Sequence, residues 1–337
     1  MKHIVTLLML GASLSVAAQQ TVPLTFERRS VVEEYTGTWC GNCPRGIVGL
    51  QRLSEDFGDR CICIAVHTGD HEPMVIPAYP DLVPESGGIP ACTIDRTGKL
   101  DPYSGVGSRG IYHYGLDVAF DYRLSQPTEA GLELTAQWND AQQWDVRFNA
   151  TTTFNIDSDT APYRLCFVLL EDGLRGEGSD WQQVNYFTLE QGMSDSQNYA
   201  DDDMKPWREA PYRVDGMEYN HVAVNTLGIK SGIAGSIQAP IVSGVAQHYS
   251  NLVTTLNVRI IQDKGRLTAV AMILNTETGE IVNAAKADIM PFGYNAISDA
   301  TTDAAAQPSA VYDLQGRRVG YPAKGIYIKN NRKYIKH

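Results

Sequence analysis

Beyond its first eighteen residues the chain lacks any long apolar run, any surplus of positive charge and any density of cysteine, and each lack removes a class of protein. A bilayer-spanning helix needs about 20 consecutive apolar residues, so no transmembrane span is expected in the remainder. A formal net charge of −11, with no basic or aromatic-rich stripe, argues against nucleic-acid binding. Six cysteines in 337 residues are far too few for a disulfide-built scaffold. Disorder is excluded too, because 43% hydrophobic content is enough to build cores for two or three ordinary domains.

What is present begins with Lys2 and His3, the apolar run Ile4 to Leu10 and small residues ending in Val16-Ala17-Ala18. This pattern predicts a secretory signal peptide over residues 1–18 with cleavage before Gln19. The first cysteine is Cys40, so no lipid-acceptor cysteine lies near that point. Export into an oxidising compartment permits disulfides.

Only Cys40 and Cys43 have a chemically telling spacing. Val31 to Thr36 is β-branched and aromatic enough to predict a buried strand, and Thr36-Gly37-Thr38 allows a turn. Ile47, Leu50, Leu53 and Phe57 recur at near-helical spacing before Gly58, which predicts a helix over 46–57 with Cys40 at its N-terminus. Unpaired amides and the positive end of the helix dipole favour a thiolate there, and Cys43 one turn along is placed to resolve a mixed disulfide. Two alternatives stay open: a static bridge, and half of a zinc site completed by Cys61 and Cys63. Pro44 and the strand character of Cys61-Ile62-Cys63 oppose zinc, so no metal is expected. Strand alternation puts Cys61 and Cys63 on one face about 6.6 Å apart, and together with Cys92 and Cys166 they are expected to be small buried apolar residues.

Three further features point to the same chemistry. Gly87-Gly88-Ile89-Pro90 leads into the strand Ala91 to Asp95, and proline without an N–H is tolerated at a strand's first residue. A cis Ile89-Pro90 bond would leave the Ile89 backbone free to pair with an extended substrate beside Cys40. Glu33 and Glu34 point to opposite faces of the first strand, so one of them is expected to be buried. Glu34 is the candidate, its value raised by burial toward the range useful for proton transfer with Cys43. Trp39, beside the first cysteine, is a candidate contact for substrate as well as a candidate packed aromatic. His67, Asp70, His71 and Glu72 form a polar cluster with metal-ligand residue types, expected to be a solvated loop.

Along the chain, residues 28–125 alternate strand and helix signals, ending in a helix over about 109–124, and predict an α/β layer with a mixed sheet. From Pro127 only short strands follow: Leu132 to Trp138, Trp144 to Ala150, 163–170, 219–226, 253–261, 267–274 and 280–287. That spacing predicts an all-β, immunoglobulin-like sandwich over 127–290, with 172–216 as a long excursion. Residues 296–310, rich in Ala, Thr, Asp and Ser, are expected to be a linker. The segment 311–337 carries seven Lys or Arg against Asp313 alone and is patterned as strand, turn, strand.

Val32 to Pro44, Ala65 to Asp70, and Gly88-Ile89-Pro90 with Ile94-Asp95-Arg96 resemble the thioredoxin fold. More narrowly, together with Glu171-Asp172-Gly173 and Tyr219-Asn220-His221, they resemble the outer-membrane-protein-28-related family of exported bacterial proteins over about residues 28–290. The resemblance implies a Gram-negative periplasm, outer membrane or cell surface. The basic hairpin, with Lys324-Gly325-Ile326-Tyr327, resembles the C-terminal sorting domain of type IX secretion substrates and implies secretion machinery as a partner. Gly-Asn stands between the cysteines where thioredoxin itself has Gly-Pro. Two functions follow. The first is an exported thiol-disulfide oxidoreductase acting on protein thiols and disulfides, with Cys40, Cys43, Pro90 and Glu34 catalytic, Trp39 and Ile89 at the substrate, and no cofactor. The second is a cell-surface binding or structural protein with a non-catalytic thioredoxin-like domain.

Overall fold

The structure is a computed structural model describing residues 23–77, 79, 82, 88–103, 115–190, 202–253, 256 and 259–294, with backbone alone for the strands at 311–312, 318–319, 325–329 and 332–336. The predicted signal peptide 1–18, the linker 296–310 and the first part of the helix predicted over 109–124 lie outside the described residues. The chain divides into two compact units, Met1–Phe292 and Gly293–His337.

The first unit opens with β1 (Ser30–Thr36), α1 (Pro44–Phe57), β2 (Cys61–His67), β3 (Ala91–Ile94), β4 (Lys99–Leu100) and α2 (Leu116–Ser125). β1 runs parallel to β2, with Thr36 opposite His67, and antiparallel to β3, which pairs with β4. This is the mixed sheet the strand and helix order predicts. Every residue of β1 and β2 is buried because both faces are covered. Leu50 and Leu53 of α1 and Phe120 of α2 pack over Val32, Cys63, Cys92 and Ile94, while Val31, Tyr35, Ile62 and Ile64 face the opposite core.

The remaining strands are β5 (Ala130–Trp138), β6 (Val146–Phe154), β7 (Tyr163–Glu171), the short β8 (Gln183–Val184) and β9 (Arg213–Val214), β10 (Val222–Leu227), β11 (Gln247–Val253), β12 (Leu267–Asn275) and β13 (Ile281–Met290), with α3 (Lys205–Glu209) between β8 and β9. Most fall where alternation predicts them. β11 ends where the strand expected at 253–261 begins, because its positions 247–251 alternate only between half-buried and exposed and include Gln247 and Asn251, which leave little hydrophobic signal.

The sandwich expected over 127–290 is not a separate body. Its strands continue the first sheet in the order β11-β6-β5-β13-β12-β7-β10-β2-β1-β3-β4. The junction is small: Val222 of β10 pairs with Ala65 of β2, and the Ala65 N–H donates to His221 O at 2.7 Å. Two-layer packing is present within this half, since Phe148 of β6 stacks on Phe167 of β7 at 4.8 Å although three strands lie between them in the sheet. One apolar core runs from Val31 and Ile64 to Phe167 and Met272, which is why the two halves share a unit. Buried Asp95 adds a polar tie, accepting from Val31 N, Ser30 Oγ, Arg28 and Arg123, while both arginines also donate to carbonyls of β13.

The second unit holds β14 (Val311–Tyr312), β15 (Arg318–Val319), β16 (Gly325–Lys329) and β17 (Arg332–Lys336) in the antiparallel order β15-β14-β16-β17. Four strands therefore stand where one hairpin is expected. No helix among the described residues is long and apolar enough to cross a membrane.

Candidate functional site

Past the end of β1 the chain turns at Gly37 and reaches Cys40, whose N–H donates to Gly37 O at 3.1 Å. Cys40 and Cys43 are joined by a disulfide with their Cα atoms 5.3 Å apart. The helix begins two residues before the expected start at 46, yet Cys40 is not at its N-terminus: Cys43 is the N-cap and Pro44 the first residue, and the Cys43 N–H donates to Cys40 O at 3.1 Å. Proline is favoured there because its missing N–H would have no partner in the first turn. The helix dipole therefore acts most directly on Cys43, with Cys40 in the turn before it. Cys40 keeps 6% of its surface exposed and Cys43 none.

The Ile89-Pro90 bond is cis, as expected, and sets the Ile89 carbonyl oxygen 3.7 Å from Cys40 Sγ. An oxidised sulfur has no proton to donate, so this is a contact that becomes a hydrogen bond only in the thiol form. Trp39 is half exposed, and its Nε1 donates to Thr68 O at 2.7 Å. Added Cβ atoms on Gly37 or Gly69 would run into its indole, so two glycines seat the ring beside the disulfide.

Glu34 is buried on the α1 face of β1, and its Oε1 has no hydrogen-bond partner. Burial pushes its carboxyl up to about 8, against the opposing pull of Thr36 and Arg45. Gly46, three residues after Cys43, makes room for it, since a Cβ there would coincide with Glu34 Oε1. Glu33 is buried as well, which corrects the expectation that only one of the pair would be. The sheet is covered on both faces, and on the far face Glu33 accepts from Arg96 and from Tyr79 Oη at 2.9 Å.

The polar cluster after β2 is also not the solvated loop expected. Asp70 and His71 are exposed, but His67 and Glu72 are buried and meet at 3.0 Å. Glu72 Oε2 accepts from the Thr38 N–H at 2.6 Å and from Thr38 Oγ1 at 3.0 Å, bracing the entry to the cysteine loop. Cys61 and Cys63 lie at the far end of β2, opposite Ser30 and Val32, and do not meet Cys40 and Cys43. Their sulfurs share a hydrogen bond at 3.6 Å and form no disulfide, and Cys92 and Cys166 are likewise free and buried.

The excursion after β7 reaches the site, which sequence reasoning missed. Val184 N donates to Thr38 O at 2.7 Å and Tyr186 N to Gly41 O at 2.9 Å, so Gln183 to Tyr186 lines the cysteine loop in extended form. Gln183 Nε2 donates to Cys40 O at 3.0 Å, and the Tyr186 ring occupies the space a Cβ on Gly41 would need. Behind it, Phe187, Met204 and Trp207 pack on Val48 of α1. The short apolar alternation Val184, Tyr186 within a polar stretch was the available signal.

No family model and no curated protein sequence matches this chain. Among solved structures, HBP35 of Porphyromonas gingivalis is similar with a TM-score of 0.52 at 15% identity, covering 93% of this chain and 98% of that one. A domain of the outer membrane lipoprotein Omp28 from Porphyromonas gingivalis matches over 49% of this chain and 91% of its own, at 14% identity and a TM-score of 0.24. The first likeness is one of fold and extends over nearly the whole of both chains.

Proposed function

We propose that this chain is an exported thiol-disulfide oxidoreductase of protein substrates, with a thioredoxin-like redox segment of the outer-membrane-protein-28-related kind. In the reduced protein the Cys40 thiolate attacks a substrate disulfide and releases one substrate thiolate. Cys43, its proton passed to Glu34, then attacks Cys40 Sγ, closing the protein disulfide and releasing the second substrate thiolate. Two electrons pass to the substrate, and the reverse sequence oxidises a dithiol. The Ile89 backbone at Pro90 offers an extended substrate a pairing edge, and Trp39 an exposed aromatic face. The observation that carries this reading is a Cys-x-x-Cys disulfide with the Ile89 carbonyl at 3.7 Å, on a strand–helix unit that also holds a buried carboxyl with one oxygen unpartnered. Export rests on the pattern of residues 1–18, and a sorting role for 311–337 on its basic β composition.

A second reading, a surface binding protein with a static bridge, draws support from the cover that Gln183 to Tyr186 lays over the loop and from the low exposure of Cys40. Reduction potential separates the two. A working site should titrate between roughly −120 and −270 mV, and a static bridge below about −300 mV. Cys43→Ser in the exporting cell should accumulate mixed disulfides with protein partners through Cys40. A potential below that limit together with an empty trap would replace the enzyme with the binding protein.

A further inference from the structure

A cavity of about 190 Å³ lies between α1 and the sheet, where β10 meets β2. Glu34 and Thr36 of β1, Gln51 and Ser54 of α1, His67 of β2 and His221 of the loop before β10 are among its walls. It has room for about six water molecules at ~30 Å³ each, and its walls offer them polar partners. Glu34 is 1% exposed, and its unpartnered Oε1 gives this buried wall a polar atom with bonding capacity to spare.

His221 forms part of the opposite wall in a way that fixes it. Its backbone is left-handed, with φ 59°, a conformation uncommon for a side chain that is not Gly, Asn or Asp. The conformation is held at both ends of the residue: its N–H donates to Asp172 Oδ1 at 2.6 Å and its carbonyl accepts from Ala65 N. The side chain is 28% exposed, with Nδ1 3.6 Å from Asp172 Oδ1. His221 therefore borders both the cavity and solvent.

We infer that this cavity is the proton exit for Glu34 and that His221 carries the proton from it to solvent. The inference rests on the oxidoreductase reading. Each time Cys43 closes the disulfide, its proton moves to the Glu34 carboxylate. Burial keeps the Glu34 carboxyl protonated in the reduced protein at neutral pH, so that proton must leave before Glu34 can accept the one on Cys43, and reopening of the disulfide later returns the accepted proton to Cys43. The departing proton passes to cavity water, then to the His221 imidazole, and from there past Asp172 to bulk solvent. His221 touches no reacting sulfur and is a positioning residue. Burial lowers its affinity for a proton, with Asp172 pulling the other way and Lys286 of β13 adding to the lowering, so the neutral imidazole is available to accept. The other titratable groups around the route are Glu55, Glu218 and Tyr219 on the cavity wall, His67 with Nδ1 against Glu72, and Arg45, Cys63 and Cys92 around Glu34.

The test is single-turnover rapid-quench alkylation of the reduced full-length protein mixed with a synthetic peptide disulfide, run from about pH 5 to 9, which separates mixed-disulfide formation from its resolution by Cys43. His221→Gln should leave formation unchanged and slow the resolving step roughly tenfold, below the 10²–10⁴ that direct acid-base catalysis supplies because solvent retains a slower route. Imidazole in the buffer should restore the rate. Ser54→Leu, which fills the cavity without removing a titratable group, should slow the same step without rescue by imidazole. Unchanged resolution and an unchanged pH profile in folded His221→Gln would overturn the exit route. If that variant does not fold, a wild-type rate in Ser54→Leu overturns it instead. A wild-type protein that forms no mixed disulfide defeats the oxidoreductase reading itself, a result distinct from either.

Discussion

Glu33 and Glu34 are neighbours on one strand, equally hidden from water, and their surroundings treat them in opposite ways. On the far face Glu33 meets Arg96, whose Nε and Nη2 both reach its carboxylate, with Tyr79 and Thr93 beside it. Burial alone would lower the Arg96 value, but the charge and hydrogen bonds of Glu33 outweigh it and raise it. On the near face Glu34 has an oxygen without a partner, a helix glycine against it and a cavity beside it. A buried charge that is fully paired is a structural element, whereas one left unpaired takes up a proton instead. The same residue type, one position apart, is thus a paired charge on one side of the sheet and a carboxyl with a raised value on the other.

The comparison breaks most visibly through pH. Glu34 has its value raised in the folded protein from 4.5 to about 8. The folded state therefore binds the proton more tightly than the unfolded chain does. Its contribution to stability is complete below about pH 4.5 and is lost as pH rises through about 8. At about 1.4 kcal/mol per unit the loss is at most about 5 kcal/mol. Urea unfolding at about pH 5 and pH 9 should show it in the wild type and not in Glu34→Gln; equal losses in both proteins would remove the contrast with Glu33. Next in size, Glu33→Gln leaves the Arg96 guanidinium buried without its counter-charge. It should cost about 3–5 kcal/mol at neutral pH, read from the denaturation midpoint. A cost below ~1 kcal/mol, the range of exposed pairs, would show that the two faces are not so different. Smallest, Gly46→Ala should cost about 1–3 kcal/mol by driving a methyl into the Glu34 carboxyl. Adding Glu34→Ala should recover part of that cost in a double-mutant cycle, and strict additivity would mean that the helix does not press on this carboxyl.

Local features of the site were legible in the sequence. The strand before Cys40, the helix after Cys43, the cis bond at Pro90 and the burial of Glu34 all follow from short patterns in which neighbours along the chain are neighbours in space. The burial of Glu33 was not legible, because alternation assigns faces of a strand but cannot say that both are covered. His67 and Glu72 looked like loop residues because their partners, Thr38 and one another, are set by the close of the β1 to β2 layer. Gln183 to Tyr186 and His221 reach the site from more than 140 residues away, as Gln183 does to Cys40. Contacts of that span leave no periodic trace. The division at residue 126 failed for a related reason: a change from mixed to all-strand patterning is real, but one core and one sheet run across it.

The pairing of Val222 with Ala65 has a bearing on how this molecule avoids sticking to others. β2 is seven residues long, buried throughout, and would be a terminal strand of its sheet if the chain stopped after α2. Long apolar margins of that kind recruit foreign strands. β10 joins this margin at Val222 with Ala65 and carries the sheet on to β7, while the two-residue β4 is the terminus at the opposite end. A fragment ending near residue 126 would bare the row, so it should self-associate in solution more than the longer chain.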